Sequence, residues 1–178
     1  VYTWCDLGIR DDFAIVYVQF YNMDIRFIDY DEFDGESIGD AKNRMSAKGY
    51  TYAEHFAPHD INVRDLSTGM SRKDYAAKMG LFYQTCGNIP VIDGINSVRT
   101  RFKKFYFDTE KCETLLKRLR NYRKEFDDKR GFFKDKPVHD LNSHAADAVR
   151  YCAITEILPQ SLADNYEREY NPHVYGTR

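Results

Sequence analysis

The sequence predicts a mixed α/β fold in which one β-sheet is covered by helices on both faces. Its first 33 residues are rich in the alternating, β-branched and aromatic patterns of strands. Helical and strand-like segments then alternate, which favours a sheet packed against helices. Of the 178 residues, 43% are hydrophobic, enough for one substantial core. We therefore expect a single domain over residues 1–178, in which about 160–178 form a polar tail.

The first three elements are predicted strands. VYTWCDLGI is a β-rich run that ends near Gly8, and FAIVYVQF follows the polar residues IRDD. NMDIRFIDYDEF begins after a turn at Tyr21-Asn22. Short connections between consecutive strands join antiparallel pairs. The first 33 residues are therefore expected to form an antiparallel meander.

Helix and strand patterns follow the meander. ESIGDAKNRMSAKG has helical spacing up to Gly49, TYAEHFAPHD is a short strand that leads into a polar loop, and SRKDYAAKMG is a helix with Ser71 as its N-cap. NIPVID is predicted to be a short buried strand, and NSVRTRFKKF and TEKCETLLKRLRNYRKEF to be helices. DDKRGFFKDKP is a candidate β-hairpin that turns at Arg130-Gly131, and SHAADAVRYCAITEIL is the closing helix.

The charges are unevenly distributed along the chain. The net charge is −2, yet 14 basic and 7 acidic residues between Arg99 and Lys136 give this segment a charge of +7, which leaves −9 for the remainder. Such segregation suits a protein that holds a polyanion on one surface and cations at another place. A solvated helix face with chance clustering of charge is the alternative.

The cysteines give no sign of a metal or disulfide framework. Cys5, Cys86, Cys112 and Cys152 are scattered and include no CxxC pair, so we expect free thiols in a reducing compartment. No apolar run approaches the roughly 18 residues of a membrane span. The chain begins at Val1 without a methionine, and we interpret it as a soluble domain cut from a longer protein.

Three aspartates and one histidine lie where strands end or a helix begins. Asp6 ends an otherwise apolar strand, Asp60 is the last residue of HFAPHD, where an apolar strand gives way to polar residues, and His144 and Asp147 share one face near the start of the last helix. A solvated turn for Asp6, a capping role for Asp60 and a first-turn contact for the helical pair are the ordinary alternatives.

Convergent carboxylates would repel one another strongly unless cations lay between them. Mg²⁺ or Mn²⁺ suits such a site, because these ions bind few protein carboxylates and accept phosphate oxygens. A pair of such ions can clamp the attacking water and the leaving oxygen of an in-line displacement. The pattern is thus typical of a phosphodiesterase.

The runs CDLGIRDD, HFAPHDINVRDLSTGMSRKDYAAKMG, DGINSVRTRFKKFYFD, KCETLLKRLRNYRKEF and PVHDLNSHAADAVRYCA occur in this order over roughly residues 2 to 155. Together they resemble the C-terminal nuclease domain of tailed-bacteriophage terminase large subunits. The resemblance implies a ribonuclease H-like mixed sheet with three antiparallel strands and then parallel ones. It also implies a three-carboxylate site that binds divalent metal ions, and cleavage of concatemeric double-stranded viral DNA during packaging.

By position, Asp6, Asp60 and Asp147 match the three acids of that family, and we expect them to be catalytic metal ligands, with Mg²⁺ or Mn²⁺ bound as two ions. His144 resembles an additional active-site histidine of some members. It is expected to be a weaker ligand, to orient water, or to protonate the leaving oxygen.

Other polar residues have less specific expectations. Asp11 and Asp12 are possible accessory acids acting through water, or ordinary turn acids. Asp140 and His139 either cap the last helix or approach the site, and capping is the preferred interpretation for the pair.

The basic segment supplies candidates for contacts with the DNA backbone, each with a surface-solubility role as its alternative: Lys103, Lys104, Lys129, Arg130 and Lys134. A hairpin over 127–137 is expected to lie close to DNA, and the resemblance implies that it regulates access. Little sequence preference is expected.

Two other functions stay open at this point. One is another ribonuclease H-like nuclease, a junction resolvase or transposase core, against which the SHAADAVRY and STGMSR runs argue. The other is a non-catalytic DNA-binding module of the same fold, which the presence of all three acids disfavours without proving turnover.

The resemblance implies partners outside this chain. No GxxxxGK[ST] loop is present, so the ATPase domain of a full-length terminase is expected on a missing N-terminal segment. A small terminase subunit and a portal are the further expected partners. The expected location is the host bacterial cytoplasm, with transient binding at the procapsid portal.

Overall fold

The computed structural model describes residues 1–7, 13–34, 37–66 and 68–155. The strands in these residues are β1 Tyr2–Asp6, β2 Phe13–Tyr21, β3 Asp24–Phe33, β4 His55–Ala57, β5 Tyr83–Thr85, β6 Phe105–Phe107, β7 Lys124–Asp127 and β8 Phe132–Pro137. The α-helices are α1 Ile38–Ala47, α2 Arg72–Lys78, α3 Val91–Arg101, α4 Glu113–Asn121 and α5 Leu141–Ile154, with short 3₁₀ helices at His59–Asn62 and Phe102–Lys104. None of the helices described is long and apolar enough to cross a membrane.

Six strands form one mixed sheet in the order β5-β4-β1-β2-β3-β6, and β7 and β8 form a separate hairpin. β1, β2 and β3 are antiparallel neighbours, as the meander predicted. β4 pairs with β1, β5 with β4 and β6 with β3, all in parallel. The predicted sheet, antiparallel in its first three strands and parallel afterwards, is therefore confirmed.

Hydrophobic clusters cover both faces of the sheet. On one face, Trp4 and Phe27 are buried together with Leu115 of α4 and Val149 of α5. On the opposite face, β1 and β2 residues pack with Ala41 of α1 and with α2. Side chains alternate between the faces of a strand, so Asp6 shares the face of Trp4 on which α5 lies. The prediction of helices on both faces is confirmed.

α5 begins at a complete N-terminal cap. The Asp140 side chain accepts hydrogen bonds from the backbone N–H groups of Asn142 and Ser143, and the Ser143 hydroxyl accepts one from the Asp140 N–H. Asp140 therefore caps the helix, as preferred from the sequence. Ala145 and Ala148 are fully buried against the sheet, so α5 packs closely across it.

The hairpin was also predicted. β7 and β8 are antiparallel, and Gly131 has a φ of +70° in the connection between them. This left-handed conformation is unfavourable for residues with a Cβ, which explains a glycine at the turn.

Some predicted elements are wrong. NIPVID is not a strand, because Pro90 is the N-cap of α3, which begins at Val91, and the strand nearby is β5. β6 was not predicted. The last predicted helix before the hairpin stops at Asn121, and KEF belongs to β7. These strands have only three or four residues, too few for a period of two to be distinguished from a helical pattern.

The four cysteines are buried and free, as predicted. Burial is the largest cause of the raised pKa of each, and the pKa values of Cys86 and Cys112 rise to about 11 and about 12. Thiols with such pKa values are almost entirely protonated at neutral pH, so we interpret them as core side chains.

Candidate active site

The three aspartates predicted as ligands are delivered to one end of the sheet by different elements. Asp6 is the last residue of β1, and Asp60 lies in the 3₁₀ helix that follows β4, the parallel neighbour of β1. Asp147 is in the second turn of α5. Burial raises the pKa of the Tyr151 phenol, and the negative charges of Asp6, Asp147 and Asp60 raise this pKa further. The positive charge of Arg150 lowers it. All three carboxylates are therefore electrostatic neighbours of one phenol.

Asp6 is hydrogen-bonded to His144, the histidine predicted to belong to the site. The Nδ1 atom of His144 lies 2.8 Å from Oδ2 of Asp6, and the two side chains are only 8% and 16% exposed. An ionised carboxylate only accepts hydrogen bonds, so with Asp6 ionised the donor is Nδ1–H, and the contact fixes the orientation of the ring. The ring of His139 lies 5.0 Å from that of His144, centroid to centroid.

Asp147 is paired within its own helix. Nε of Arg150 donates to Oδ1 of Asp147 at 2.9 Å. Burial is the largest cause of the raised pKa of Asp147, Arg150 and His144 oppose the rise, and the charge of Asp6 adds to it. The positive charge of Arg150 therefore favours the ionised form of this carboxyl.

Asp60 is the least satisfied of the three. Its Oδ2 atom is 4.0 Å from Nη1 of Arg72, and its Oδ1 atom is buried without a hydrogen-bond partner among the described residues. A buried carboxylate oxygen without a donor is a place for a cation or an ordered water. Oxygen ligands of this kind are those that Mg²⁺ and Mn²⁺ prefer, so the donor set fits these ions.

Each of the three aspartates lies next to a basic side chain, and the three carboxylates are not gathered around one point. No three Asp, Glu, His or Cys side chains of the described residues are close enough to hold one metal ion together. Each acid instead faces a basic residue, in the pairs Asp6–His144, Asp60–Arg72 and Asp147–Arg150. Side chains of the protein therefore compensate part of the charge of the acids, and the expectation that bound divalent cations lie between the carboxylates stays a prediction.

Known proteins show the same fold. No family model matches the chain. It is 26% identical over 153 residues to the terminase large subunit of Escherichia phage T5, covering 82% of this chain and 33% of that protein. Among solved structures, the large terminase of the thermophilic bacteriophage D6E in complex with ADP has a TM-score of 0.67 and 21% identity, covering 89% of this chain and 40% of that one. The nuclease domain of the bacteriophage SPP1 large terminase with bound Mn has a TM-score of 0.62 and 17% identity, covering 84% and 82%.

The chain has the fold of a large-terminase nuclease domain. This ribonuclease H-like architecture is the one predicted from the sequence, and the resemblance is confirmed. The chain spans about a third of the length of the phage T5 relative.

The predicted DNA contacts of this terminase nuclease fold lie on two elements. Lys103 and Lys104 follow α3, while Lys129 and Arg130 are exposed at the turn of the hairpin. Lys134 instead forms an ion pair with Glu125 across the hairpin. Glu125 also forms an ion pair with Lys136, at 2.9 Å. Asp11 and Asp12 lie outside the described residues.

The base of the hairpin is fixed to the helix that carries the site. The Val138 N–H donates to the carbonyl of Arg123 at 3.0 Å, and Nη1 of Arg123 lies 3.1 Å from Oδ2 of Asp140, the N-cap of α5. The hairpin and the acids of the terminase nuclease fold are thus joined by a short path of direct contacts.

The residues that sequence reasoning missed are Arg72 and Arg150. Both are basic partners of a predicted acid, and Arg150 is 6% exposed. A signal for Arg150 was present, since it lies three residues after Asp147 and hence on the same helix face. The Arg72–Asp60 pair joins α2 to the residues after β4, so it depends on tertiary packing.

Proposed function

We propose that this chain is a divalent-metal-dependent endonuclease that cuts concatemeric double-stranded viral DNA during genome packaging. The observation that carries the proposal is the position of Asp6, Asp60 and Asp147 at one sheet end of a large-terminase nuclease fold. The name of the phage T5 relative and the Mn bound to the SPP1 nuclease domain support the same function and cofactor class.

Asp6, Asp60 and Asp147 are the residues we assign to hold Mg²⁺ or Mn²⁺, as two ions. When bound, such ions supply activation of water and neutralisation of the charge that develops on the departing 3′ oxygen. The buried, unsatisfied Oδ1 of Asp60 supports this assignment. Shared ligation by the three acids requires their side chains to come closer together, since no three ligands among the described residues are yet gathered.

His144 has two assigned tasks. Its Nδ1–H holds the Asp6 carboxylate in position, as the 2.8 Å contact indicates. Its second ring nitrogen is the atom we assign to proton exchange with water or with the leaving oxygen, because an imidazole nitrogen can both accept and donate a proton.

Lys103, Lys104, Lys129, Arg130 and Lys134 are assigned to the phosphate backbone. Contacts of this kind position DNA without reading its sequence, so we expect little sequence preference. The internal pair with Glu125 makes Lys134 the weakest of these candidates.

The proposal extends to the full-length protein, of which this chain would be the nuclease domain. The D6E large terminase that shares the fold was solved in complex with ADP, which supports an ATPase domain N-terminal to this chain. A small terminase subunit and a portal are the partners we propose, in the host bacterial cytoplasm.

A plasmid-nicking assay with Mn²⁺, Mg²⁺ or a chelator tests the function. We expect cleavage with either metal, none with the chelator, and at least a roughly 100-fold loss in Asp6→Asn, Asp60→Asn and Asp147→Asn variants whose circular dichroism is unchanged. Cleavage at the parent rate by Asp60→Asn and Asp147→Asn would show that the assignment is wrong, and a DNA-binding chain that never cuts would be a non-catalytic module. Preference for branched over linear duplex would indicate a junction resolvase.

A further inference from the structure

Arg150 is restrained on three sides. Its Nε atom donates to Oδ1 of Asp147 at 2.9 Å, and its guanidinium lies over the ring of Tyr151, 4.6 Å from the centroid. Its alkyl stem passes Gly94 of α3 so closely that a Cβ there would lie 2.6 Å from Cδ and 2.7 Å from Cγ of Arg150. A side chain held in this way has little freedom to take another rotamer.

Packing against Arg150, and not helix formation, explains why position 94 is a glycine. Glycine is unfavourable inside a helix, and this one is buried in α3. Any side chain at this position would occupy the path of the Arg150 stem. The glycine in α3 thus permits the conformation in which the arginine of α5 reaches Asp147.

The contact engages only one oxygen of Asp147. Among the described residues, no donor forms a hydrogen bond with the second oxygen, Oδ2. A residue that fixes one oxygen of a metal-binding carboxylate orients the other, and such supporting contacts strongly affect metal affinity.

We propose that Arg150, held in place by Gly94 and Tyr151, is a positioning residue that orients Asp147 to bind the divalent cation. This inference rests on the proposed function, in which Asp147 is a metal ligand. It deepens that function by naming a group outside the three acids on which metal binding depends.

Charge and position predict opposite effects of removing Arg150. By charge alone, the guanidinium repels a divalent cation, so its loss would tighten metal binding. By position, its loss frees the Asp147 carboxylate to rotate and weakens metal binding. Tighter binding would show that repulsion of the cation dominates, whereas weaker binding in Arg150→Lys, which keeps the charge, as well as in Arg150→Met would show that position dominates.

Titration calorimetry with MnCl₂ on the whole chain measures the sign of this change in affinity. We expect Arg150→Met to raise the Kd for Mn²⁺ by about 10- to 100-fold. Arg150→Lys keeps the charge but loses the planar Nε donor, so we expect a similar loss. Gly94→Ala keeps Arg150 and displaces it, and should also weaken Mn²⁺ binding. Because Arg150 lines a cavity of about 750 Å³, its displaced side chain has space to move, and we expect Gly94→Ala to fold.

The chain supplies matched controls. Arg26 lies 4.4 Å from the centroid of the Tyr21 ring and 3.8 Å from Asp24, the same kind of arrangement on the β2–β3 hairpin. A Cβ at Gly87 would meet no heavy atom within 4 Å, so alanine fits there without displacing a neighbour. Arg26→Met and Gly87→Ala should both bind Mn²⁺ with the parent Kd.

The outcomes separate this inference from the proposed function. If the parent chain binds Mn²⁺ and cuts DNA, and both Arg150→Met and Gly94→Ala keep the parent Kd or bind more tightly, the positioning role is overturned and the nuclease stands. If the parent chain neither binds Mn²⁺ nor cuts DNA, both fail. Should Arg150→Met not fold, as judged by circular dichroism, Gly94→Ala alone decides.

Discussion

His144 and Asp6 are joined across the end of the sheet by a 2.8 Å contact between Nδ1 and Oδ2. The contact ties the first strand to the last helix, elements separated by most of the chain. It gives the histidine a positional role that can be tested separately from proton transfer.

Substitution of His144 by alanine should lower the rate of plasmid nicking by about 10- to 100-fold, because the Asp6 carboxylate loses its orienting donor. His144→Asn retains a side-chain N–H group, so it should recover part of the rate if positioning dominates, and none if proton transfer does. His139→Ala is the neighbouring control and should have a much smaller effect. A parent rate in His144→Ala would refute the assigned role.

The exposed cations at the hairpin turn should act through phosphate contacts. In a plot of the logarithm of the DNA association constant against the logarithm of the salt concentration, Lys129→Gln is expected to reduce the magnitude of the slope by about 1. The double variant Lys129→Gln/Arg130→Gln is expected to reduce it by about 2. The loss should be equal for unrelated duplex sequences in a fluorescence anisotropy titration. Lys78→Gln on α2 serves as the control, and an unchanged slope in the double variant would remove the hairpin from the interface.

Glu32 should contribute stability that depends on pH. Burial raises the pKa of this carboxyl, but hydrogen bonds from Arg118, at 3.0 and 2.6 Å, and from Tyr30, at 2.9 Å, outweigh burial and lower it below 4.5. A lowered folded-state pKa stabilises the fold above the unfolded pKa, and this stabilisation is lost as pH falls through the folded pKa.

Glu32→Gln should therefore lower the free energy of unfolding by about 2 kcal/mol at pH 7, with a difference that shrinks below pH 4.5. Urea denaturation at several pH values measures the difference. Asp135→Asn, at a carboxylate that is 94% exposed, is the control and should change stability little. A difference that grows on acidification would contradict the expected sign.

Lys48 bridges two carboxylates near the middle of β3. Its Nζ atom lies 2.9 Å from both Asp29 and Asp31, and the Asp29 side chain is 8% exposed. Lys48→Met leaves these like charges without their shared cation, so we expect a loss of roughly 3–5 kcal/mol in the free energy of unfolding. Nicking by the folded fraction should be unaffected, and a loss below about 1 kcal/mol would mean that the charges are compensated in another way.

Sequence reasoning succeeded where structure is determined by local patterns. The long strands β2 and β3 show the composition and alternation of strands, and Asp140 and Ser71 are recognisable caps beside the helices they begin. The short strands β5 and β6 are stabilised by pairing with distant strands, and three residues carry too little periodicity to reveal this. The apolar residues around Pro90 are typical of a short buried strand, but proline also precedes many helices, and here it is the N-cap of α3.

The acids of the candidate site were identified from where each stands in its own element. Their partners were not, because Arg72 and Gly94 acquire their meaning only when α2 meets β4 and α3 meets α5. Arg72 and Gly94 are therefore defined by tertiary contact, whereas Arg150 could have been inferred from its position three residues after Asp147.

The buried alanines of α5 determine how far His144 and Asp147 stand from β1. Ala145 and Ala148 are fully buried, so methyl groups set the separation between the helix axis and the sheet. A leucine at position 145 would push the helix outwards and carry both polar side chains with it. The methyl groups of these alanines thereby set the spacing on which the proposed chemistry depends.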